Sequence, residues 1–532
     1  AGRETQGHRF EAKVNPIVLH NADSYAQQLA TEGSVIASYH ERREMIARQL
    51  ATAAAQQKLT LIDDDALLDE VTALVEHPNV LAGTFDAEFL RVPQECLILT
   101  MKANQKYFPL LDAHGKLANT FLLTANIQPA DPAQIIAGNE RVIRSRLADA
   151  KFFFDQDRKR TLASRVPELD KVVYHNKLGT QGLRMQYVRA ITTMIAEQLG
   201  GEALAAQAYE AATLAKADLL TGMVGEFPEL QGIMGRFYAQ LEGLSDDIAF
   251  AIEDHYKPRF AGDELPRNRV GVCVALADKL ETLVNLFSIG EIPTGDKDPF
   301  ALRRHALGVI RLLVDNQLPF DLDQLLQQTI GILQGDELSK GWASAQKSTV
   351  ITQQRLVSPE SGDRLQAFFY ERLAGNLRDQ GYSAQEVDAV LSSNPQRLSD
   401  IPRRLAAVRA FSALPEAASL AAANKRVGNI LKKAEDGVNV LVDANLLNEP
   451  AEQALHQVLM AVLPKASETF AAGDYAASLQ ILAVLRSPVD DFFDHVMVNV
   501  DDASLRNNRL ALLAQLHQTM NRVADISRLA VN

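Results

Sequence analysis

Apolar residues recur at three- and four-residue spacing over most of the chain, and this pattern predicts a mainly helical protein. In GEIPTGDKDPFALRRHALGVIRLLV, Asp298 is placed as an N-cap and Pro299 at the first helical position, where its missing N–H costs nothing. Leu302, Ala306, Val309 and Leu313 then define a buried face, while Arg304 and Arg311, two turns apart, share an outward one with Arg303 beside them. Residues 21–80 read the same way: Met45, Ile46, Leu50 and Ala53 form a stripe, and His40, Glu41, Arg42 and Arg43 a solvated helix start. The period then changes. NVLAGTF reads as a strand, Pro93 can open a helix through CLILTMKANQ, and YFPLLDAHGKLANTFLLTAN reads as a hairpin with His114-Gly115 in its turn. From near Leu178 the helical period returns, with connections expected at 353–361 and 392–397. In EFPELQGIMGRFYA, Pro228 is a helix starter, and Gly232 and Gly235 are expected to let another backbone approach closely. The fold class expected is mainly α with an α+β N-terminal part, divided as 1–177 (α+β), 178–320 (helical), 321–402 (helical linker region) and 403–532 (C-terminal helical bundle).

Length supports several domains, since 532 residues exceed what one core sustains. No apolar run approaches the roughly 20 residues of a membrane helix, and AGRETQGHRF has no signal pattern, so no membrane is expected. Cys96 and Cys273, each in an apolar segment, point to buried thiols in a reducing compartment, and the cytoplasm fits best. A net charge of −13 excludes attachment to nucleic acid by global attraction, so RNA binding would have to use local basic patches.

Four such patches stand out besides the Arg303, Arg304 and Arg311 face, whose alternative reading is simply solvated arginines. Lys102 and Lys106, one turn apart, precede Tyr107 and Phe108; rings can stack on unpaired bases, or the pair can be hairpin core with exposed lysines. Arg141, Arg144 and Lys151 line one face of GNERVIRSRLADAKFFFDQDRKR, which otherwise reads as an ordinary charge-laced helix. Lys425, Arg426, Lys432 and Lys433 make AAANKRVGNILKK a basic helix, with Lys425 and Lys432 on one face. Arg506 and Arg509 are the polar candidates of the last segment, where Phe492, Phe493, Val496 and Met497 are expected in the core. Arg403 and Arg404 are read as anchors of the same segment. No phosphate-binding GxxxxGK[ST], no dinucleotide GxGxxG in a βαβ unit, no HIGH, KMSKS, HExxH or CxxC occurs.

The strings KADLLTGMVGEFPELQGIMGRFYA and ALADKLETLVNLF, with the arginine-rich stretch at Gly290, resemble the central region of the β subunit of bacterial heterotetrameric glycyl-tRNA synthetase. The resemblance runs from GHRF at Gly7 to VADIS near Ile526, and it implies that an N-terminal segment of the family's subunit is absent here. It further implies a degenerate HD-like domain over 178–320, with Ala217-Asp218 where an active HD metal site has His-Asp and Asp278 as the distant carboxylate. Without that imidazole the ligand set is poor for a transition metal. VMVNVDD and RNNRLALL resemble the DALR-type anticodon-binding bundle. The resemblance therefore implies a tRNA-Gly-binding subunit of glycine–tRNA ligase in an α2β2 assembly. No cofactor is expected on this chain, ATP and Mg2+ being used at a separate class II α subunit. The competing classes are a metal-dependent HD-type phosphohydrolase and a non-catalytic helical scaffold.

Overall fold

The computed structural model describes residues 2–335, 357–434 and 441–530. They form two compact units, one built from 1–169 and 214–249, the other from 170–213 and 250–532. The four segments expected from composition are consecutive, whereas these units are interleaved: 214–249 packs with the N-terminal part.

In the first unit, helix α1 (Tyr39–Gln57) and helix α2 (Asp65–Leu74) cover an antiparallel sheet of β1 (Thr60–Leu61), β2 (Asn79–Thr84), β3 (Phe108–Leu111) and β4 (Leu117–Ala125), in the order β1-β3-β4-β2. The expected strand and hairpin are both present, with Gly115 at φ 73° in the turn and Asp112 N–H bonded to the Lys116 carbonyl at 2.8 Å. Ile46, Leu50, Leu67, Val71, Phe108 and Leu122 form its core. The α1 stripe ends on Ala54 rather than Ala53, as a four-residue step from Leu50 requires. Arg42 and Arg43 are not merely solvated. Arg42 donates to the Ile36 carbonyl at 2.6 Å, and Arg43 reaches Asp65 and Asp69 on α2, both at 2.6 Å, so the start of α1 is tied to its neighbour.

Helix α3 (Ala133–Asp157) delivers the carboxylate that holds the returning segment. Buried Asp157 accepts from Gly222 N–H (2.7 Å), Met223 N–H (2.9 Å) and Tyr238 Oη–H (2.9 Å). Within that segment Gly232 takes φ 81°, and the amides of Gly232 and Gly235 both point at Asp218 Oδ2. Those glycines turn amides onto a buried carboxylate.

Among the described residues the second unit has helices and, as its one sheet, the two-stranded 173–180 ribbon. Helix α4 (Gln181–Leu214) breaks at Gly201 (φ 71°) and lends Arg184 and the apolar face of its first half to this unit's core. Helix α5 (Arg269–Ser288) is buried along nearly its whole length. Helix α6 (Leu302–Asp315) starts three residues later than the N-cap reading predicts. Ala301 takes a left-handed conformation (φ 55°) after the 294–297 turn, so Pro299 lies outside the helix. Asp298 still caps it, accepting from Leu302 N–H (2.8 Å) and Arg303 N–H (3.0 Å), and the predicted face of Leu302, Ala306, Val309 and Leu313 is buried.

Helix α7 (Leu322–Gln334), helix α8 (Pro359–Asp379), helix α9 (Ala384–Leu391) and helix α10 (Ile401–Ser412) follow. Of the expected connection at 353–361, residues 353–356 lie outside the described residues, and 359–361 instead form the first turn of α8, capped by Ser358. The connection at 392–397 is present. The C-terminal bundle comprises α11 (Ala417–Lys432), α12 (Pro450–Ala471), α13 (Tyr475–Ile481), α14 (Arg486–His495) and α15 (Ala503–Met520), closed by a 3-10 turn at Ile526–Leu529. Phe492 and Val496 are core, as expected. Phe493 is half-buried, and Met497 is 71% exposed, because the chain leaves α14 at Val496 in an extended conformation that turns Met497 outward. Among the described residues no single helix is long and apolar enough to cross a membrane.

Glu386 closes a capping box on α9 and receives both Arg409 Nε (2.7 Å) and Nη2 (3.1 Å) from α10. That guanidinium presses its carboxyl down to about 2. The folded value lies below the unfolded one of about 4.3, so the stabilisation is complete above the unfolded value and is lost as pH falls through the folded one. Glu386→Gln should lower the thermal unfolding midpoint at pH 7, and its gap from wild type should narrow as pH falls from about 4.3 towards 2. A gap that stays constant over that range would refute the pairing.

Candidate nucleic-acid interface

The first unit spends most of its candidate cations internally. Lys102 Nζ bonds Asp64 at 2.8 Å, and Lys106 Nζ bonds Glu70 at 2.9 Å. Tyr107 and Phe108 are buried, Tyr107 stacking on Phe121 at 4.6 Å and donating to Asn139 at 2.6 Å, so these rings cannot stack on bases and the hairpin-core reading is the correct one. On α3, Arg144 pairs with Asp86 at 3.0 Å and Lys151 with Asp155 at 2.9 Å, while Arg141 is exposed.

In the second unit Arg303 donates to the Gly295 carbonyl (2.6 Å), and Arg311 is held by the Asp263 carbonyl (2.7 Å) and Asp315 (3.3 Å), so Arg311 is a structural link rather than an outward cation. Arg304 is exposed, and with Arg311 it lines a largely apolar groove of about 340 Å3 beside Phe260, Leu307 and Leu373.

Each of the two carboxylates of the HD reading takes donors from the protein on one oxygen, Asp218 Oδ2 from two amides and Asp278 Oδ1 from Arg184. Asp218 is fully buried, and burial lifts its carboxyl to about 6 even though the Gly232 and Gly235 amides oppose that shift. Asp278 accepts from Arg184 Nη2 at 2.9 Å, within a buried set that also joins Arg184 Nε to Glu281 at 2.7 Å. With amide and guanidinium donors aimed at these oxygens and Ala217 in place of an imidazole, the donor set does not fit a transition metal.

The C-terminal bundle is different. Its two candidate arginines turn inward: Arg509 is 5% exposed, ion-paired with the fully buried Glu452 and donating to the Met497 carbonyl at 2.6 Å. It lies on the inner side of α15 and is not available to RNA, which corrects its selection from RNNRLALL. Arg506 is half-buried and donates to the Val500 carbonyl at 3.1 Å. Arg403 and Arg404 do act as anchors: Arg403 pairs with Asp400, and Arg404 lies 4.9 Å over Tyr475 and bonds the Val523 carbonyl at 2.8 Å.

Helix α11 keeps its charges outside. Leu420, Asn424 and Val427 are buried, whereas Lys425, Arg426, Lys432 and Lys433 are exposed. Among the described residues Arg426, Lys432 and Lys433 form no ion pair; Arg426 lies 4.2 Å over the Phe493 ring. Lys425 and Lys432 share one face, as their spacing predicts, and line a groove of about 510 Å3 with Gly428, Asn429, His517 and Arg528. The sequence reading missed Gly428, His517 and Arg528; an isolated glycine inside a helical pattern was the available signal.

The C-terminal helical bundle thus carries a polar groove lined by Lys425, Lys432 and Arg528. Residues 420–527 match the family described as DALR anticodon binding domain, which makes the class an aminoacyl-tRNA synthetase component. Residues 1–392 match the family model of the glycyl-tRNA synthetase beta subunit, and the chain belongs to that family. Relatives named glycine–tRNA ligase beta subunit include those of Thiobacillus denitrificans (64% identical over 530 residues) and Dechloromonas aromatica (65% over 536), each matched over all of this chain and 73% of its own length. That of Methylobacillus flagellatus is 62% identical over 530 residues, covering 72% of its length.

Removing one partner of the Glu452–Arg509 pair leaves a buried charge uncompensated, at a cost of about 3–5 kcal/mol. Arg509→Met and Glu452→Gln should therefore each lower the calorimetric unfolding transition of the full chain, and the double variant should be less damaging than the two effects added. Strict additivity would show that the pair is not coupled.

Proposed function

We propose that this chain is the tRNA-binding partner in a two-component glycine–tRNA ligase, working in the cytoplasm in an α2β2 assembly. Glycine activation with ATP and Mg2+ is assigned to a separate α subunit carrying a class II core, because this sequence offers no ATP-handling motif. The beta-subunit family to which the chain belongs supports the existence of that partner. Glycine has no side chain to recognise beyond its lack of bulk, so selection of the correct product leans on the tRNA.

The observation that carries the reading is the charge on the last two turns of α11. Of the other candidates, Lys102, Lys106, Arg144, Lys151, Arg311 and Arg509 answer the chain's own carboxylates, whereas Arg426, Lys432 and Lys433 face solvent inside the segment that matches an anticodon-binding family. In a chain of net charge −13, such a patch is where phosphates would be met.

Lys432→Ala with Lys433→Ala should weaken binding of all tRNAs alike and reduce the slope of log K against log salt by about 1.4 to 1.8, two phosphate contacts at roughly 0.7 to 0.9 each. An unchanged slope in filter binding would remove α11 from the interface. Aminoacylation of tRNA-Gly should require both components: this chain alone should give no glycine-dependent ATP–pyrophosphate exchange, and exchange by highly purified chain free of α would overturn the division of labour.

A further inference from the structure

The groove beside α11 has a floor that the general cationic patch does not explain. Gly428 lies inside the helix with helical backbone angles, a position where alanine is the favoured residue and glycine is a cost. A Cβ there would stand 3.3 Å from His517 Nε2 and 3.8 Å from its Cδ2, so the missing methyl is what leaves that edge of the imidazole uncovered. Among the described residues the His517 ring makes no hydrogen bond, while its backbone carbonyl is fixed by Asn521 N–H at 3.1 Å and Asn521 Nδ2 at 2.9 Å. Asn521 is in turn clasped by buried Asn424 of α11 at 2.7 Å, so the histidine is mounted on a rigid support facing α11.

Around this edge stand Lys425 and Lys432 from α11, Arg528 from the closing turn, and the amides of Asn429 and Gln385. The two carboxylates of the groove are partly spent. Asp525 accepts from Ser527 N–H (3.1 Å), Ser527 Oγ (2.6 Å) and Arg528 Nε (3.3 Å), and Asp388 lies 3.8 Å from Arg378. Burial and, after it, the neighbouring Lys432 hold the imidazole below its ordinary range against the pull of Asp525, which favours a neutral ring able to pair with a base edge.

We infer that this groove takes one unstacked nucleotide of the RNA, its base edge hydrogen-bonded to His517 Nε2 over Gly428 and its phosphate met by Lys425, Lys432 and Arg528. The chemistry is that of single-stranded RNA recognition, in which a base is splayed out of its loop and read on its edge while cations hold the backbone. His517 and Gly428 are then specificity-determining, and the lysines set affinity. This rests on the tRNA-binding reading above and adds to it the place and residues of one base contact.

The test uses the full chain, tRNA-Gly transcript, and the same transcript substituted one nucleotide at a time through the anticodon loop, with binding measured at fixed salt. Gly428→Ala should leave the unfolding midpoint close to that of wild type, the better helix former offsetting the close contact of its Cβ with His517, yet weaken the cognate transcript by about ten-fold or more and erase discrimination at a single loop position, as loss of one base contact does. His517→Ala should erase discrimination at that same position. Wild-type discrimination in both variants overturns the inference, and so does a loss spread evenly over all positions with a lowered midpoint, which marks a structural effect. Wild-type chain that binds tRNA-Gly no tighter than unrelated RNA defeats the tRNA-binding reading itself, and this inference with it.

Discussion

The carboxylate of Glu452 fixes three parts of the C-terminal bundle at once. Its Oε2 accepts from Asn448 N–H at 2.8 Å and Glu449 N–H at 3.1 Å, closing the start of α12, and its Oε1 receives Arg509 from α15. Arg509 in turn holds the Met497 carbonyl, so the extended segment after α14 is tied to the same point. A charge with no exposed surface is tolerable only when its lone pairs are matched, and here each oxygen is. Beside it Asn508 exchanges two hydrogen bonds with the backbone of Asp443, at 2.8 and 3.0 Å, which secures the connection before α12 to the same face of α15.

This inward clamp frees the other side of the bundle. Helix α15 commits Asn508 and Arg509 to internal structure, so the charge available to a partner must come from elsewhere, and α11 supplies it. The two helices are joined by the Asn424–Asn521 pair, a neutral contact that consumes no cation. A neutral clasp between α11 and the end of α15, with the buried ion pair placed between α15 and α12, leaves the lysines of α11 outside.

Periodicity made the helices, the β3–β4 hairpin and the buried face of α6 readable, because each depends on residues close in sequence. The role of a charge was not readable in the same way. Lys102 and Lys432 look alike in a string; what separates them is that Asp64 folds back on the first, while the second forms no ion pair among the described residues. Arg509 was chosen because RNNRLALL marks the right helix, but the side of a helix that faces the core depends on packing partners more than fifty residues away, here Glu452. The interleaving of 214–249 with the N-terminal unit was equally hidden, since it rests on Asp157 meeting amides 65 positions later. Gly428 was printed in a motif already under scrutiny, yet its meaning required knowing that His517 lies across from it.

The acidic balance of the chain then acquires a use. Surface carboxylates answer many of the cations in local pairs, as in Lys106–Glu70, Arg144–Asp86 and Lys151–Asp155, and such exposed pairs contribute little to stability, about 0–1 kcal/mol each. Their effect on a polyanion is larger, because a lysine already answered by an aspartate releases fewer counterions on meeting a phosphate. On the tRNA-binding reading proposed above, such a surface would repel RNA where its cations are paired and accept it where they are not. At the end of α11 Arg426 is engaged by an aromatic ring rather than a carboxylate, and Lys432 in the last helical turn and Lys433 at its cap form no ion pair among the described residues. Affinity confined to one small face is weak towards generic RNA, and it makes discrimination depend on the shape and base edges presented there, which for a ligase whose amino acid carries no side chain is where selectivity has to be generated.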